Sequence, residues 1–182
     1  TVECDAPYAH EFDRIQKYTL NSDVTKVDTF QFVNYSDGFE LMKPVLKFHM
    51  AKDGNFSINV KHYSEGKYMV EKDGSILLNN STYNECSCYC RMNNLPISCI
   101  TKALDYNVTT NFSNLSANDT VYLDNKNCIM MLNDSYSEDL FSKFNKNFLK
   151  IPRGLSVLSV YGVADSMYIV YQNAKRLGGS YY

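Results

Sequence analysis

Between residues 25 and 79 apolar and polar side chains alternate in short runs. The runs are separated by Asp37-Gly38, Asp53-Gly54, Glu65-Gly66 and Asp73-Gly74. A period of two places successive side chains on opposite faces of a strand. Gly preceded by an acidic residue tolerates the left-handed backbone that tight hairpin turns need. The runs TKVDTFQFVNY, FELMKPVLKFHMA, NFSINVKHY, KYMVEK and SILLN therefore predict an antiparallel meander or sandwich-like sheet. Pro44 marks an edge or a bulge in the second of them, because proline has no N–H to give to a ladder.

Other periodicities are few. Phe12 and Ile15, flanked by Tyr8 and Tyr18, share one helical face and suggest a short helix over 8–18. TVYLDNKNCIMML reads as two short strands. In SYSEDLFSKFNKNFLKIP, Ser135 and Glu138 form a capping-box pattern. Leu140, Phe141, Phe144 and Phe148 share a face, and Pro152 ends the run, which predicts an amphipathic helix over about 136–149. GLSVLSVYGV and SMYIVYQNA, rich in β-branched and aromatic residues around VADS, predict a closing hairpin. With 182 residues, no repeat and no linker, the expectation is one domain, 1–182, mainly β with a minor helical part.

The cysteines are Cys4, Cys86, Cys88, Cys90, Cys99 and Cys128. Taken as an extended segment, CSCYC holds three sulfurs too parallel to join one another, so Cys86, Cys88 and Cys90 each seek a distant partner. Turn-forming residues in Asn93-Asn94-Leu95-Pro96 predict a hairpin that sets Cys90 opposite Cys99. Cys4 and Cys128 then pair with Cys86 and Cys88 in either order, giving three disulfides. The C-x-C-x-C spacing differs from the C-x₂₋₄-C of zinc sites, and His10, His49 and His62 lie far off in sequence.

Nine Asn-X-Ser/Thr sequons occur, at Asn34, Asn55, Asn79, Asn80, Asn107, Asn111, Asn114, Asn118 and Asn133. With 19 asparagines and 26 serines plus threonines in 182 residues, chance predicts about three. All nine fall at expected turns or element ends, the last four before Asn133 in an irregular stretch, 105–122. Glycans require such surface positions. An oxidising lumen and an extracellular, secreted or displayed protein follow from sequons and cysteines together.

A net charge of −2 without a basic run gives no reason to bind nucleic acid. No apolar stretch reaches the length of a membrane span. Abundant Tyr, Asn and Lys suit an AT-rich genome, viral or parasitic. No G-x-S-x-G, phosphate-binding loop, H-E-x-x-H or calcium loop is present, so no catalytic residue, cofactor or metal is assigned and an enzyme is not expected. The function expected is a binding module recognising a host or envelope protein. Arg153, Tyr161, Tyr168 and Tyr171, in a region free of sequons, are candidate partner contacts, since Tyr and Arg anchor interfaces. The alternative is an intracellular viral or phage protein with a structural or replication role and reduced or zinc-bound cysteines.

Overall fold

The computed structural model describes residues 8–10, 12–37 and 41–176. The chain is mainly β, with antiparallel sheets. It divides into two compact units, Thr1–Val60 with Val108–Tyr182, and Lys61–Asn107.

In the first unit, β2 (Arg14–Thr19), β4 (Val45–Met50), β8 (Thr120–Asp124), β9 (Ile129–Leu132) and β11 (Ala164–Tyr171) form one sheet in the order β2-β11-β4-β8-β9. A second sheet takes β3 (Asp28–Asn34), β10 (Gly154–Gly162) and the start of β5 (Gly54–Lys72), with β7 (Ile100–Leu115) also pairing β5. A small ribbon joins β1 (Tyr8–His10) to β12 (Ala174–Arg176). Alternation decides which side chains meet between the sheets. Leu46, Phe48 and Met50 of β4 and Phe56, Ile58 and Val60 of β5 are fully buried, as are Met167 and Ile169 of β11 and Leu158 of β10. Phe48 stacks on Phe56 at 3.7 Å between ring centroids and approaches Phe112 at 5.5 Å. Phe32 meets Tyr171 edge-on at 4.9 Å. Aromatic pairs of this kind add about 0.5–1.5 kcal/mol each beyond area burial.

Several expectations are corrected. The meander is not the strand order: β3 pairs with β10, and β4 lies in the other sheet between β11 and β8. Among the described residues, only Asp73-Gly74 of the acidic-Gly pairs closes a two-residue hairpin. Lys72 opposes Ser75, and both turn residues have positive φ, the type I′ pattern. The expected closing hairpin is a crossing between sheets, because β10 pairs with β3 while β11 pairs with β2 and β4. Residues 8–10 and 14–19 are strands rather than a helix.

The helix expected over 136–149 is confined to α2 (Glu138–Lys143). Beyond it Phe144 bridges Phe112 of β7 and stacks on it at 4.7 Å. Asn145 and Asn147 direct their side-chain amides to the Thr109 carbonyl, and Asn145 Oδ1 accepts from Asn111 N–H. These bonds to a neighbouring strand replace the helical ladder.

In the second unit, β5 runs on into a hairpin with β6 (Ser75–Ser81), followed by α1 (Tyr83–Met92) and a 3₁₀ turn, Ile97–Cys99. CSCYC is therefore helical, not extended. Thr82 Oγ accepts from Glu85 N–H at 3.3 Å, and Glu85 Oε2 accepts from Thr82 N–H at 2.8 Å, a capping box that starts the helix. Cys86 and Cys90, four residues apart, face inward onto Val70, with Tyr68, Leu78, Tyr89, Leu95, Cys99 and Ile100 around them.

Candidate interaction face

The outer side of the sheet β2-β11-β4-β8-β9 brings lysine, tyrosine, histidine and aspartate side chains together. Register places three rows across it. Lys17, Tyr168, Lys47, Tyr122 and Met131 stand side by side on the five strands. Ile15, Val170, Val45, Asp124 and Ile129 form the next row, and Thr19, Ser166, His49 and Thr120 the row on its other side. Ile15 is 67% exposed, so this side is a surface and not core.

Its polar groups hold one another in place. Lys17 Nζ lies 5.3 Å from the Tyr168 ring centroid, a cation–π contact. Lys47 Nζ is 3.7 Å from Asp134. At the end of the face β11 carries a bulge: Ala164 opposes Met50 and Ser166 opposes His49, leaving Asp165 as the extra residue. A bulge re-aims the side chain it displaces. Here it turns Asp165 onto His49, whose Nδ1 is 3.0 Å from both carboxylate oxygens, while Ser166 Oγ donates to Oδ1 at 2.9 Å. Burial works against the Asp165 carboxylate, but the bonds from Ser166 and His49 outweigh it and hold its pKa below the ordinary value. Tyr122 is pushed up by burial, then by Asp124 and Tyr136, and stays a neutral phenol.

A depressed carboxyl stabilises the fold at pH values above its unfolded pKa, and that contribution is lost as pH falls through the lower folded value. Both partners are more than one-third exposed, so the stabilisation is below about 1 kcal/mol. Asp165→Asn is expected to lower stability near neutrality by that small amount, and the difference from the wild type should vanish as pH falls through the acid range, which flattens the acid limb of the stability–pH curve. Thermal melts across the acid range check it.

Of the four candidate contacts, only Tyr168 stands on this face. Tyr171 is buried against Phe32, a correction whose cause is parity: residue 171 shares the inward side of β11 with Met167 and Ile169. Tyr161 is exposed on β10, in the other sheet. Arg153, exposed before β10, donates to the Asp37 carbonyl at 3.4 Å. Sequence reasoning passed over Lys17, Lys47 and Tyr122. The signal was present in VLKFHM and TVYLD, where Lys47 and Tyr122 alternate with buried Leu46, Phe48, Val121 and Leu123.

The sequons fall elsewhere. The stretch 105–122 is not irregular: β7 continues to Leu115, so Asn107 and Asn111 sit on a strand. Asn114 and Asn118 have positive φ at its end. Asn55, Asn79, Asn80, Asn107, Asn114, Asn118 and Asn133 are exposed and Asn111 is half-buried. Asn133 donates to Asp119 and accepts from Thr120 N–H. Asn34 is 1% exposed. Its Nδ2 donates to the Ile151 carbonyl at 3.0 Å and its Oδ1 accepts from Ser36 N–H at 3.0 Å, so the folded chain has no room for a glycan there.

Cys86, Cys88, Cys90, Cys99 and Cys128 are thiols in the structure, and Cys4 lies outside the described residues. Cys86 and Cys90 are buried, Cys99 is half-buried, and Cys88 and Cys128 are exposed. Among the described residues no group of three metal-binding side chains is placed to hold an ion, and no helix is long and apolar enough to cross a membrane. Comparison with family models, curated proteins and solved structures finds no match.

Proposed function

We propose that the protein is a secreted or surface-displayed binding module of viral or other pathogen origin. It carries N-glycans and three disulfides, and it recognises a host protein through the outer side of the sheet β2-β11-β4-β8-β9. The observation that carries this reading is a segregation. No sequon asparagine lies on any of those five strands, although eight of nine sequons have exposed or half-buried asparagines. Asn118 and Asn133 border one end of the face, beside Thr120. In the first unit the strand-borne sequon asparagines are Asn34, buried on β3, and Asn55, Asn111 and Asn114 on β5 and β7, all outside those five strands. Glycans screen the surface they occupy, so a face that lacks them and presents two tyrosines beside an aliphatic row is free for a partner.

Expression through a mammalian secretory pathway tests the compartment. Intact mass before and after enzymatic deglycosylation is expected to show several N-glycans, with the asparagine-to-aspartate conversion absent at Asn34. Asn34→Ala should leave glycan mass unchanged and lower stability by about 2 kcal/mol, since it strands the buried Ser36 N–H and removes one of the two bonds to the Ile151 carbonyl, which keeps the one from Met42 N–H. A secreted chain with bare asparagines overturns the reading.

A further inference from the structure

The second unit gathers three of the six cysteines into one apolar pocket, and the way it does so singles out one pair. The capping box fixes where α1 begins, and with it which cysteines face inward: Cys86 and Cys90 are 0% and 1% exposed, whereas Cys88, two residues from each, is exposed. The chain then leaves the helix through Asn93 and Asn94, the latter at φ 52°, and folds straight back. Leu95 N–H donates to the Cys90 carbonyl at 2.8 Å, and Cys99 N–H donates to the Pro96 carbonyl at 3.0 Å. That path returns Cys99 to the cluster of Val70, Cys86 and Cys90.

From this convergence we infer that Cys90 and Cys99 are joined in the mature protein by one of the three disulfides of the proposed reading, on which the inference rests. A helix and a 3₁₀ turn, rather than the expected hairpin, bring the two together. Cys86 and Cys90 cannot bond to each other within an intact helix. Residues four apart on a helix have Cβ atoms about 5–6 Å from one another, while a disulfide needs about 3.5–4.5 Å. Cys88 points away from the pocket. Cys99, arriving on a separate turn, is not held at helical spacing and can present its sulfur to Cys90. The electrostatics agree with the geometry: burial and then the neighbouring Cys99 raise the Cys90 thiol, while Cys86 is raised by burial, then by Cys90 and Glu85, without any contribution from Cys99.

The chemistry is thiol–disulfide exchange with an external disulfide, either glutathione disulfide or the disulfide of an oxidoreductase. Cys99, the more exposed sulfur, loses its proton and attacks one sulfur of the reagent, releasing a thiol and leaving a mixed disulfide on Cys99. Cys90 then loses its proton and attacks the Cys99 sulfur, releasing the second reagent thiol. Two protein thiols become one disulfide, and the reagent disulfide is reduced to two thiols.

The pairing concerns the second unit alone and is tested apart from the binding reading and from the compartment. The full chain is reduced, refolded in a glutathione redox buffer, alkylated and digested with trypsin without reduction. Cleavage after Lys72, Arg91 and Lys102 separates 73–91 from 92–102. These peptides are expected to run as one linked species, two hydrogens lighter than their sum, that falls apart on reduction. Fragmentation should place the bridge at Cys90, and Cys86→Ala should retain it. Alkylated Cys99, or Cys99 bridged to Cys86, Cys88, Cys128 or Cys4, overturns the inference.

Discussion

Replacing Gly162 by alanine is expected to lower the stability of the first unit by at least about 3 kcal/mol, a cost that single substitutions reach only through a backbone clash, a cavity or an unpaired buried group. The site admits no side chain. A Cβ at position 162 would lie 2.0 Å from the Asn55 carbonyl oxygen and 2.9 Å from its carbon, both backbone atoms that no rotamer change can move. Gly162 also has φ +121°, a conformation that L-residues avoid. The close approach exists because the chain passes here from β10 in one sheet to β11 in the other. Val163 N–H donates to that same Asn55 carbonyl at 3.2 Å, and Ala51 N–H donates to the Val163 carbonyl at 3.0 Å. Relieving the clash would break the bond that fixes the corner. For a chain of this size the melting temperature should drop by roughly 6–12 °C. Gly66→Ala is the comparison: its Cβ meets nothing within 4 Å, and only its φ of +66° opposes the change, at about 1–2 kcal/mol. Equal melting shifts for the two variants would show that the crossing is not built as described.

Gly162 also shows where legibility in the sequence ends. The inward sets Leu46, Phe48, Met50 and Phe56, Ile58, Val60 were readable, because side-chain direction in a strand follows from a local period of two. The same parity was available at Tyr171 and Lys47, and would have sent the first inward and the second outward. Which strand each one pairs with depends on contacts more than a hundred residues apart, such as Leu158 with Phe30, and no local pattern encodes them. Acidic-Gly pairs were equally ambiguous. Asp73-Gly74 makes the expected turn, while Gly66 sits inside β5 and Gly54 begins it. At CSCYC two local signals competed: cysteine spacing suggested a strand, and Thr82 with Glu85 spelled a capping box. The box prevails because it satisfies two helix-end N–H groups in which the strand has no interest. The shortening of α2 was hidden for the opposite reason. Leu140 and Phe144 are buried as their spacing implies, but Phe141 is exposed, and Asn145 and Asn147 find their partners on β7, far away in the chain.

A glycan placed at the centre of the tyrosine face is expected to abolish partner binding. Tyr168→Asn with Val170→Thr creates an Asn-Ile-Thr sequon across positions 168–170. Both substituted positions point outward on β11, so the sugar would rise over Lys17, Lys47 and Tyr122 without disturbing Met167 or Ile169. The companion Tyr168→Asn with Val170→Ala lacks the sequon and isolates the loss of the tyrosine. A buried interface tyrosine is worth about 2 kcal/mol or more when truncated, so the companion should weaken binding by roughly 30-fold, and the glycosylated variant should leave none measurable. Saturable binding of the labelled, secreted protein to a panel of vertebrate cell lines provides the readout. Enzymatic removal of the native glycans should leave wild-type binding intact, since no sequon asparagine stands on the five strands of the face and Asn118 and Asn133 lie only at its end. Tyr161→Ala and Arg153→Ala, on β10 and before it, should bind as the wild type does. Binding that survives the added glycan would remove this face from the interface. A wild-type protein that binds no cell line would remove the binding module itself.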